Sequence, residues 1–398
     1  MTSLCERYGI SRKTGYKLLG RYRVEGPSGV EERSRRPHRF ARAIGGDVAA
    51  MIVDLRVRRP RWGPKKLRAR LAMDHPEVSW PAASTIGDLL RRHDLVRRRR
   101  RRGGVVVEAR PLTAASLPGD VWAADLKGWF RVGNGRRCEP LTVSDTASRY
   151  LLCCRHMART TVEAAQPVFE RLFKEHGLPR VMRVDNGPPF SAPHGLGGLS
   201  GLSVWWLKLG IRPERIAPGR PDQNGGHERF HRTLREATAD PPAATTAEQQ
   251  LRFDEFRLDY NVVRPHEALG QVPPAKVYAP SPRPWPKRLI EPVYDADAVV
   301  RKVSGQGTIR WRGEHVHVTR ALAGEPVALV ELESGDWMVG YFDIDLGVLD
   351  RTTLHVRPHG ERRRAPYRRR KQRSSAVDLV DSAKALPTTP QPQQQPEA

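Results

Sequence analysis

The stretch Val121-Trp-Ala-Ala-Asp125-Leu-Lys-Gly128 decides how the middle of this 398-residue chain is read. From Val121 to Phe130 the residues alternate, so Trp122, Ala124 and Leu126 share one face of a strand and Asp125 lies on the other. The setting looks more buried than an exposed edge strand, and an unpaired buried carboxylate is costly. Outward from it, Glu139–Ser144 and Tyr150–Arg155 read as two further strands joined by the turn Asp145-Thr-Ala-Ser148. A helix follows, with Thr160 and Glu163 as a capping box, Val162, Phe169, Leu172 and Phe173 as its stripe, and Gly177 with Pro179 as its stop. Val181–Val184 predicts a short strand ending at Asp185. After a Gly-rich insertion come an apolar helix around Val204-Trp-Trp-Leu207, then Ile211, the loop Pro218–Pro221, and a helix with Glu228 in its first turn. Three strands, a helix, a strand and further helices over 112–280 is the order of an RNase-H-like α/β fold.

The charge is lopsided: 69 Lys+Arg against 44 Asp+Glu leave +25 at pH 7, with a pI near 10.7. A polyanionic partner is the economical explanation, because Lys and Arg displace counterions condensed on phosphates. The excess includes Arg97, Arg98, Arg99, Arg100, Arg101 and Arg102, an unbroken run whose like charges repel and gain little without phosphate. Cys5, Cys138, Cys153 and Cys154 lack zinc-ligand spacing, and the vicinal pair does not easily bridge to itself. With no secretory signal and no apolar run of membrane-spanning length, the expectation is a cytoplasmic, nucleoid-associated protein with reduced thiols and no membrane partner.

The flanks predict separate domains. Residues 1–36 read as part of a helix-turn-helix: Thr2 or Ser3 caps a helix carrying Leu4, Cys5 and Tyr8, and Ser11 caps a second with Tyr16, Leu18 and Leu19 inward. Arg12, Lys13 and Lys17 then face outward, as a groove-reading helix requires. No third helix fits in front, which points to a late start, a truncated module, or an ordinary helical hairpin. Residues 47–103 repeat the theme as a second helix-turn-helix or winged-helix module. Asp47 caps a helix through Arg58, Gly63-Pro64 opens another with Leu67, Leu71 and Met73 inward, and Pro81–His93 carries Ile86, Leu89 and Leu90. Pro280, Pro282, Pro284 and Pro286 mark a stiff linker. Short alternating runs over 295–352 (Thr308–Trp311, His315–Val318, Val327–Leu332, Trp337–Phe342) suggest a small β-barrel. From 357 to 398 the chain turns Arg-rich, then Pro/Gln-rich, a composition expected to stay disordered.

Three carboxylates carry the candidate chemistry: Asp125, Asp185 sixty positions on, and Glu228 a further 43 on. Phosphodiester chemistry without a covalent protein intermediate needs two divalent ions about 3.5–4 Å apart. Mg²⁺ takes hard oxygen ligands, so a few converging acids suffice. Each acid has a plainer explanation. Asp185-Asn-Gly is a common turn signature, and Glu228 suits the positive end of a helix dipole. Yet His231, Arg232 and Arg235 stand three, four and seven positions beyond Glu228, on one face, while Phe230, Leu234 and Ala237 lie on another. Cations beside a carboxylate on the solvent side make sense where DNA phosphates pass. Asp145 is the nearest rival acid, but its setting favours a turn. His315 and His317 have no partner ligands nearby, and Trp205 and Trp206 read as core.

These segments together resemble the integrase catalytic core of bacterial insertion-sequence transposases, in the retroviral-integrase-like DDE superfamily. The resemblance rests on Trp122-Ala-Ala-Asp125-Leu-Lys-Gly128, Val143-Ser-Asp-Thr-Ala-Ser-Arg-Tyr150, Asp185-Asn-Gly-Pro-Pro-Phe190, Pro218–His231 and Tyr260–Leu269. It implies an integrase core in which Asp125, Asp185 and Glu228 bind two Mg²⁺ or Mn²⁺ ions per active site. Water would cut a strand at the element end, the freed 3′-hydroxyl would attack double-stranded target DNA, and the protein would work as a homo-oligomer on paired ends. It also implies that Tyr260–Leu269 packs beside the catalytic helix, with Arg264 and His266 available to structure or DNA. Three departures stand out: the Gly-rich stretch Pro193–Ser203 lengthens the interval before Glu228, Asp222-Gln-Asn-Gly-Gly226 adds a negative charge and removes a positive one relative to the usual pattern, and the front helix-turn-helix is shortened, which bears on end recognition more than on chemistry. The competing expectations are a DNA-binding protein that has lost catalysis and a nuclease without strand transfer.

Overall fold

The computed structural model describes residues 1–33, 44–96, 112–126, 128–192, 195–216 and 225–358, with the side chains of 225–228 outside that description. The chain divides into two units, Met1–Pro292 and Val293–Ala398.

In the first unit, helices α1 (Thr2–Arg7) and α2 (Arg12–Glu25) form a pair. Ser11 caps α2 as expected, its side chain accepting from the Thr14 N–H, whereas α1 begins after Met1 with no side-chain cap from Thr2 or Ser3. The helices meet where Cys5 lies against Gly15, so closely that a Cβ at Gly15 would stand 2.5 Å from the Cys5 sulfur. That contact turns Leu4, Tyr8 and Tyr16 to solvent, against expectation, and leaves Leu18 and Leu19 half-buried. Helices α3 (Gly46–Arg58), α4 (Pro64–Asp74) and α5 (Ala83–Arg92) form a three-helix module around Ile52, Leu67, Leu71, Ile86 and Leu90. Gly45 holds the N-cap position of α3, and Asp47 lies in the first turn instead, where its charge still suits the helix dipole. Trp62 and Trp80 complete the core from connectors, where no helical periodicity announces them.

The central sheet is built from β1 (Val121–Leu126), β4 (Pro140–Asp145), β5 (Leu151–His156), β6 (Val181–Val184) and β7 (Arg212–Arg215), in the order β5-β4-β1-β6-β7. The hairpin β2 (Phe130–Arg131) and β3 (Arg137–Cys138) intervenes between β1 and β4. Strand β4 runs antiparallel to β1 and β5, and β6 runs parallel to β1 and β7. The first strand is thus shorter than the alternation over 121–130 predicts. Gly128, at φ +83, ends the extended run in a conformation that other residues reach with strain. Strand β7 escaped the sequence because Arg-Pro-Glu-Arg has no apolar alternation.

Helices cover both faces, which explains why β1 is buried on both sides. On one face, α6 (Val162–His176) and α7 (Gly201–Lys208) pack Phe169, Phe173 and Trp206 against Trp122 and Leu141. On the other, α8 (Gly225–Thr238) and α9 (Thr246–Leu258) pack Phe230, Leu234 and Phe253 against Leu151 and Cys154. Thr161, not Thr160, caps α6. Helix α7 starts at Gly201, inside the Gly-rich stretch, because Ser200 and Ser203 form a reciprocal capping box. The Pro-rich segment is a strap rather than a free linker. Ser281 N–H donates to the His176 carbonyl at 2.8 Å, Leu178 N–H donates to the Arg283 carbonyl at 2.7 Å, and the Arg283 guanidinium donates to the carbonyls of Pro179 and Gly210. Carbonyls left over where α6 and α7 end find their donors there.

The second unit holds β8 (Val299–Lys302), β9 (Thr308–Trp311), β10 (Glu314–His317), β11 (Pro326–Glu331), β12 (Trp337–Tyr341), β13 (Ile344–Leu349) and β14 (Val356–Arg357). Among the described residues these form an antiparallel sheet in the order β14-β13-β12-β11-β8 and a β9–β10 hairpin, where the sequence suggested a barrel. His315 and His317 are exposed. The Arg97–Arg102 run and the tail from 359 lie outside the described residues. All four cysteines are free and buried, and no helix among the described residues is long and apolar enough to cross a membrane.

Candidate active site

Strands β1 and β6 pair in parallel, with Val121 opposite Val181, Trp122 opposite Met182 and Ala123 opposite Arg183. That constant offset of sixty positions is also the interval between Asp125 and Asp185. The two acids therefore reach the same level on neighbouring strands, at the carboxyl edge where open α/β sheets hold ligands. Asp125 sits within β1, opposite Thr142 of β4. Asp185 follows β6 directly, and its Oδ1 accepts the Gly187 N–H at 3.1 Å, so Asp-Asn-Gly is also the turn its composition suggests. Asn186 Nδ2 donates to the Ile216 carbonyl at 2.8 Å and fastens this turn to the end of β7.

Burial first, and the neighbouring Asp185 charge second, push the Asp125 carboxyl up to about 7, against a lowering hydrogen bond from the Leu126 backbone. Burial also raises Asp185, opposed by the Gly187 N–H. Two acids so placed resist ionising together unless a cation joins them.

His231 does not face solvent as expected. Its Nε2 lies 2.9 Å from Thr142 Oγ1 and its Nδ1 3.6 Å from Asp125 Oδ2, with the side chain 12% exposed. Packing explains the difference: Phe230 and Leu234 anchor α8 on the sheet, and Thr238 rather than Ala237 is buried at the far end, which rotates His231 inward. Arg232 and Arg235 are exposed, as are Arg12, Lys13 and Lys17 on α2. Glu228 occupies the first turn of α8, three residues before His231, with its side chain outside the described residues. Among the described residues no three His, Cys, Asp or Glu side chains gather as a metal-holding group.

The rival acid Asp145 is fully buried. It accepts from Ser148 N–H and Oγ at 2.7 and 2.6 Å and from Gly119 N–H at 2.8 Å, a turn-holding role. Beside α8, the Tyr260 ring stands 5.2 Å from Phe230, edge to face. Asn261 brackets Leu151, accepting its N–H at 2.8 Å and donating to its carbonyl at 3.0 Å. His266 lies 4.6 Å from the Tyr260 ring, and burial foremost pushes its pKa down to about 3, which keeps the imidazole neutral. The α3–α5 module docks on this same region through Arg59–Asp259 at 2.5 Å, Lys65–Glu267 at 2.8 Å and the half-buried Val263. Nothing local in the sequence announces that docking.

These elements fit an integrase core preceded by a homeodomain-like helical region. Integrase core domain models match residues 115–221 and 209–274, a homeodomain-like model matches 14–90, and the C-terminal domain of IS481 family transposases matches 298–357. An uncharacterized 39.2 kDa protein of insertion element IS476 from Xanthomonas euvesicatoria is 29% identical over 234 residues, 58% of this chain and 64% of that protein, just under two thirds of its length. A 31.7 kDa protein of insertion element IS407 from Burkholderia multivorans is 28% identical over 284 residues, 70% of this chain and 94% of its own. Among solved structures, a simian T-cell lymphotropic virus intasome in complex with the PP2A regulatory subunit B56 gamma aligns over 74% of this chain and 97% of that chain, at 14% identity and a TM-score of 0.36. The chain is thus similar to proteins of bacterial insertion elements, and its middle matches integrase core domain models.

Proposed function

We propose that this protein is a metal-dependent transposase that cuts DNA at the ends of its element and joins the freed 3′-hydroxyl to target DNA. One observation carries the reading: Asp125 and Asp185 share one level on adjacent parallel strands, and the charge of Asp185 opposes the ionisation of Asp125. That arrangement suits a pair of Mg²⁺ or Mn²⁺ ions, because it offers hard oxygen donors whose charges a divalent cation would reconcile. When bound, such ions supply Lewis acidity and an activated oxygen nucleophile at neutral pH.

The chain's own residues have distinct tasks in this scheme. Asp125, Asp185 and Glu228 hold the cations. His231 faces the Asp125 carboxylate from α8, and Thr142 on β4 holds both the His231 ring and the Asp125 backbone carbonyl. Arg232 and Arg235, exposed on α8, meet phosphates next to the site. Arg12, Lys13 and Lys17 on α2 enter a groove of double-stranded DNA, and Arg97 to Arg102 supply the sequence-independent grip on its phosphates. The β9–β10 hairpin and the larger sheet of the second unit together make the small barrel. The protein acts on the nucleoid in the cytoplasm as a homo-oligomer that holds two ends at once.

The test is Asp185→Asn in a strand-transfer assay with Mg²⁺, alongside a DNA-binding assay. Transfer should vanish while binding persists. Undiminished transfer removes Asp185 from the mechanism, and cleavage without joining in the unaltered protein would reduce the activity to a nuclease.

A further inference from the structure

The β2–β3 hairpin leaves the carboxyl end of β1, the edge at which Asp125 and Asp185 lie. Its inner residues Phe130, Val132 and Cys138 join the cluster of Phe230 and Leu234 on α8. Its tip is pinned by Gly133 and Asn134 N–H groups donating to the carbonyls of Ala243 and Ala244, both at 2.8 Å. The hairpin is therefore a fixed platform beside the helix that carries Glu228. Its outer face holds Trp129, 51% exposed. The guanidinium of Arg137 stands 4.7 Å from the indole centroid and that of Arg131 5.7 Å, and these two arginines are directly opposite each other across the hairpin.

We propose that Trp129 stacks an unpaired DNA base close to the reacting phosphate, with Arg131 and Arg137 holding the phosphates on either side of it. This rests on the reading of Asp125 and Asp185 as the site of DNA chemistry. Trp129 stands four positions after Asp125, and a fully extended chain of four residues spans at most about 14 Å. A stacked strand advances about 3.4 Å per nucleotide, so the indole addresses a base within roughly four nucleotides of the acid pair. A large apolar ring left half in water, on a rigid hairpin and between two cations, matches the chemistry of single-stranded nucleic acid: aromatic faces for bases, guanidinium groups for backbone. Neither arginine is loose. Arg131 donates to the Gly135 carbonyl at 2.8 Å and Arg137 meets Glu139 at 3.3 Å, which keeps both groups beside the ring. Stem packing alone would not need the indole, because Phe130 and Cys138 already fill the inner face.

The experiment compares full-length protein with Trp129→Ala and Trp129→Phe by fluorescence anisotropy, in EDTA, on a blunt duplex and on the same duplex carrying a short single-stranded overhang. Trp129→Ala should lose between about 5- and 150-fold of the affinity for overhang DNA, Trp129→Phe should keep most of it, and blunt-duplex affinity should move little. Arg131→Ala should weaken both probes and flatten the salt dependence. Equal binding of overhang DNA by Trp129→Ala and the unaltered protein overturns the proposal. So does an equal loss on both probes, or a change in self-association with DNA affinity intact, which would make this face a contact between copies. Melting temperatures of all variants, expected to match, check that the hairpin still folds. No metal or strand transfer enters these measurements, so a failure of the catalytic reading, seen with Asp185→Asn, is read out separately.

Discussion

His231 Nδ1 stands 3.6 Å from Asp125 Oδ2 while its Nε2 lies 2.9 Å from Thr142 Oγ1, so one imidazole ties helix α8 to two adjacent strands. Thr142 Oγ1 in turn donates to the Asp125 carbonyl at 3.2 Å. Side chains that orient a metal-holding carboxylate set its geometry as firmly as the ligand itself, and their loss commonly costs about 10–100-fold in metal affinity or activity.

His231→Ala is therefore expected to lower strand transfer about 10–100-fold, with DNA affinity unchanged because the side chain faces the sheet and not the solvent. His231→Gln keeps a polar group of similar reach and should recover part of the loss. Transfer rates set against anisotropy binding curves make the comparison. A loss of binding that parallels the loss of transfer would return His231 to the DNA-contacting role its sequence suggests.

The acid pair has a pH signature in metal-free protein. Asp125 holds its proton in the folded state up to about 7, against an ordinary value of 3.8. Between those values the folded state binds more protons than the unfolded one, so stability is fullest below 3.8 and falls as pH rises through 7. The difference is at most about 4 kcal/mol. Asp125→Asn should flatten that segment of a melting-temperature profile. Mg²⁺ should raise the melting temperature more at pH 8 than at pH 5, because ions bind the ionised pair.

Asp145 provides the contrast. Its three hydrogen bonds, from Gly119 N–H and from Ser148 N–H and Oγ, are made in full burial, and truncation leaves those donors unsatisfied. Asp145→Ala should cost about 2–4 kcal/mol in urea unfolding, while the folded fraction still responds to Mg²⁺ in the melt. Loss of the Mg²⁺ response with stability preserved would promote Asp145 into the site.

Trp206, fully buried, meets Phe169 edge-on at 5.1 Å and joins α7 to α6. Trp206→Ala should destabilise the core by about 3–5 kcal/mol, measured by urea unfolding. The same substitution at the exposed Trp129 should change stability little.

Much of this was legible in the chain alone. The alternation around Asp125, the capped stripe of α6, the apolar run before Asp185 and the Leu67–Leu71 and Ile86–Leu90 stripes all describe elements whose buried faces repeat at the period of the backbone. The helix pair of α4 and α5 and four strands of the second unit were equally readable. Part of what escaped lacked a period: the β7 edge, the core Trp62 and Trp80 in connectors, and the strap around Arg283, whose donors answer carbonyls left at helix ends far away in sequence; β13 escaped although its Ile344, Leu346 and Val348 alternate.

Sequence by itself determined which acids stand at the ends of which strands, because a strand's composition and its terminal turn are local matters. Only the tertiary structure decided that Asp125 and Asp185 share one level, since parallel register is set by packing between segments sixty residues apart. It also decided that His231 turns inward. A helix's polar face is written in its sequence, but the angle at which Phe230 and Leu234 seat that helix on the sheet selects which polar residue meets the site.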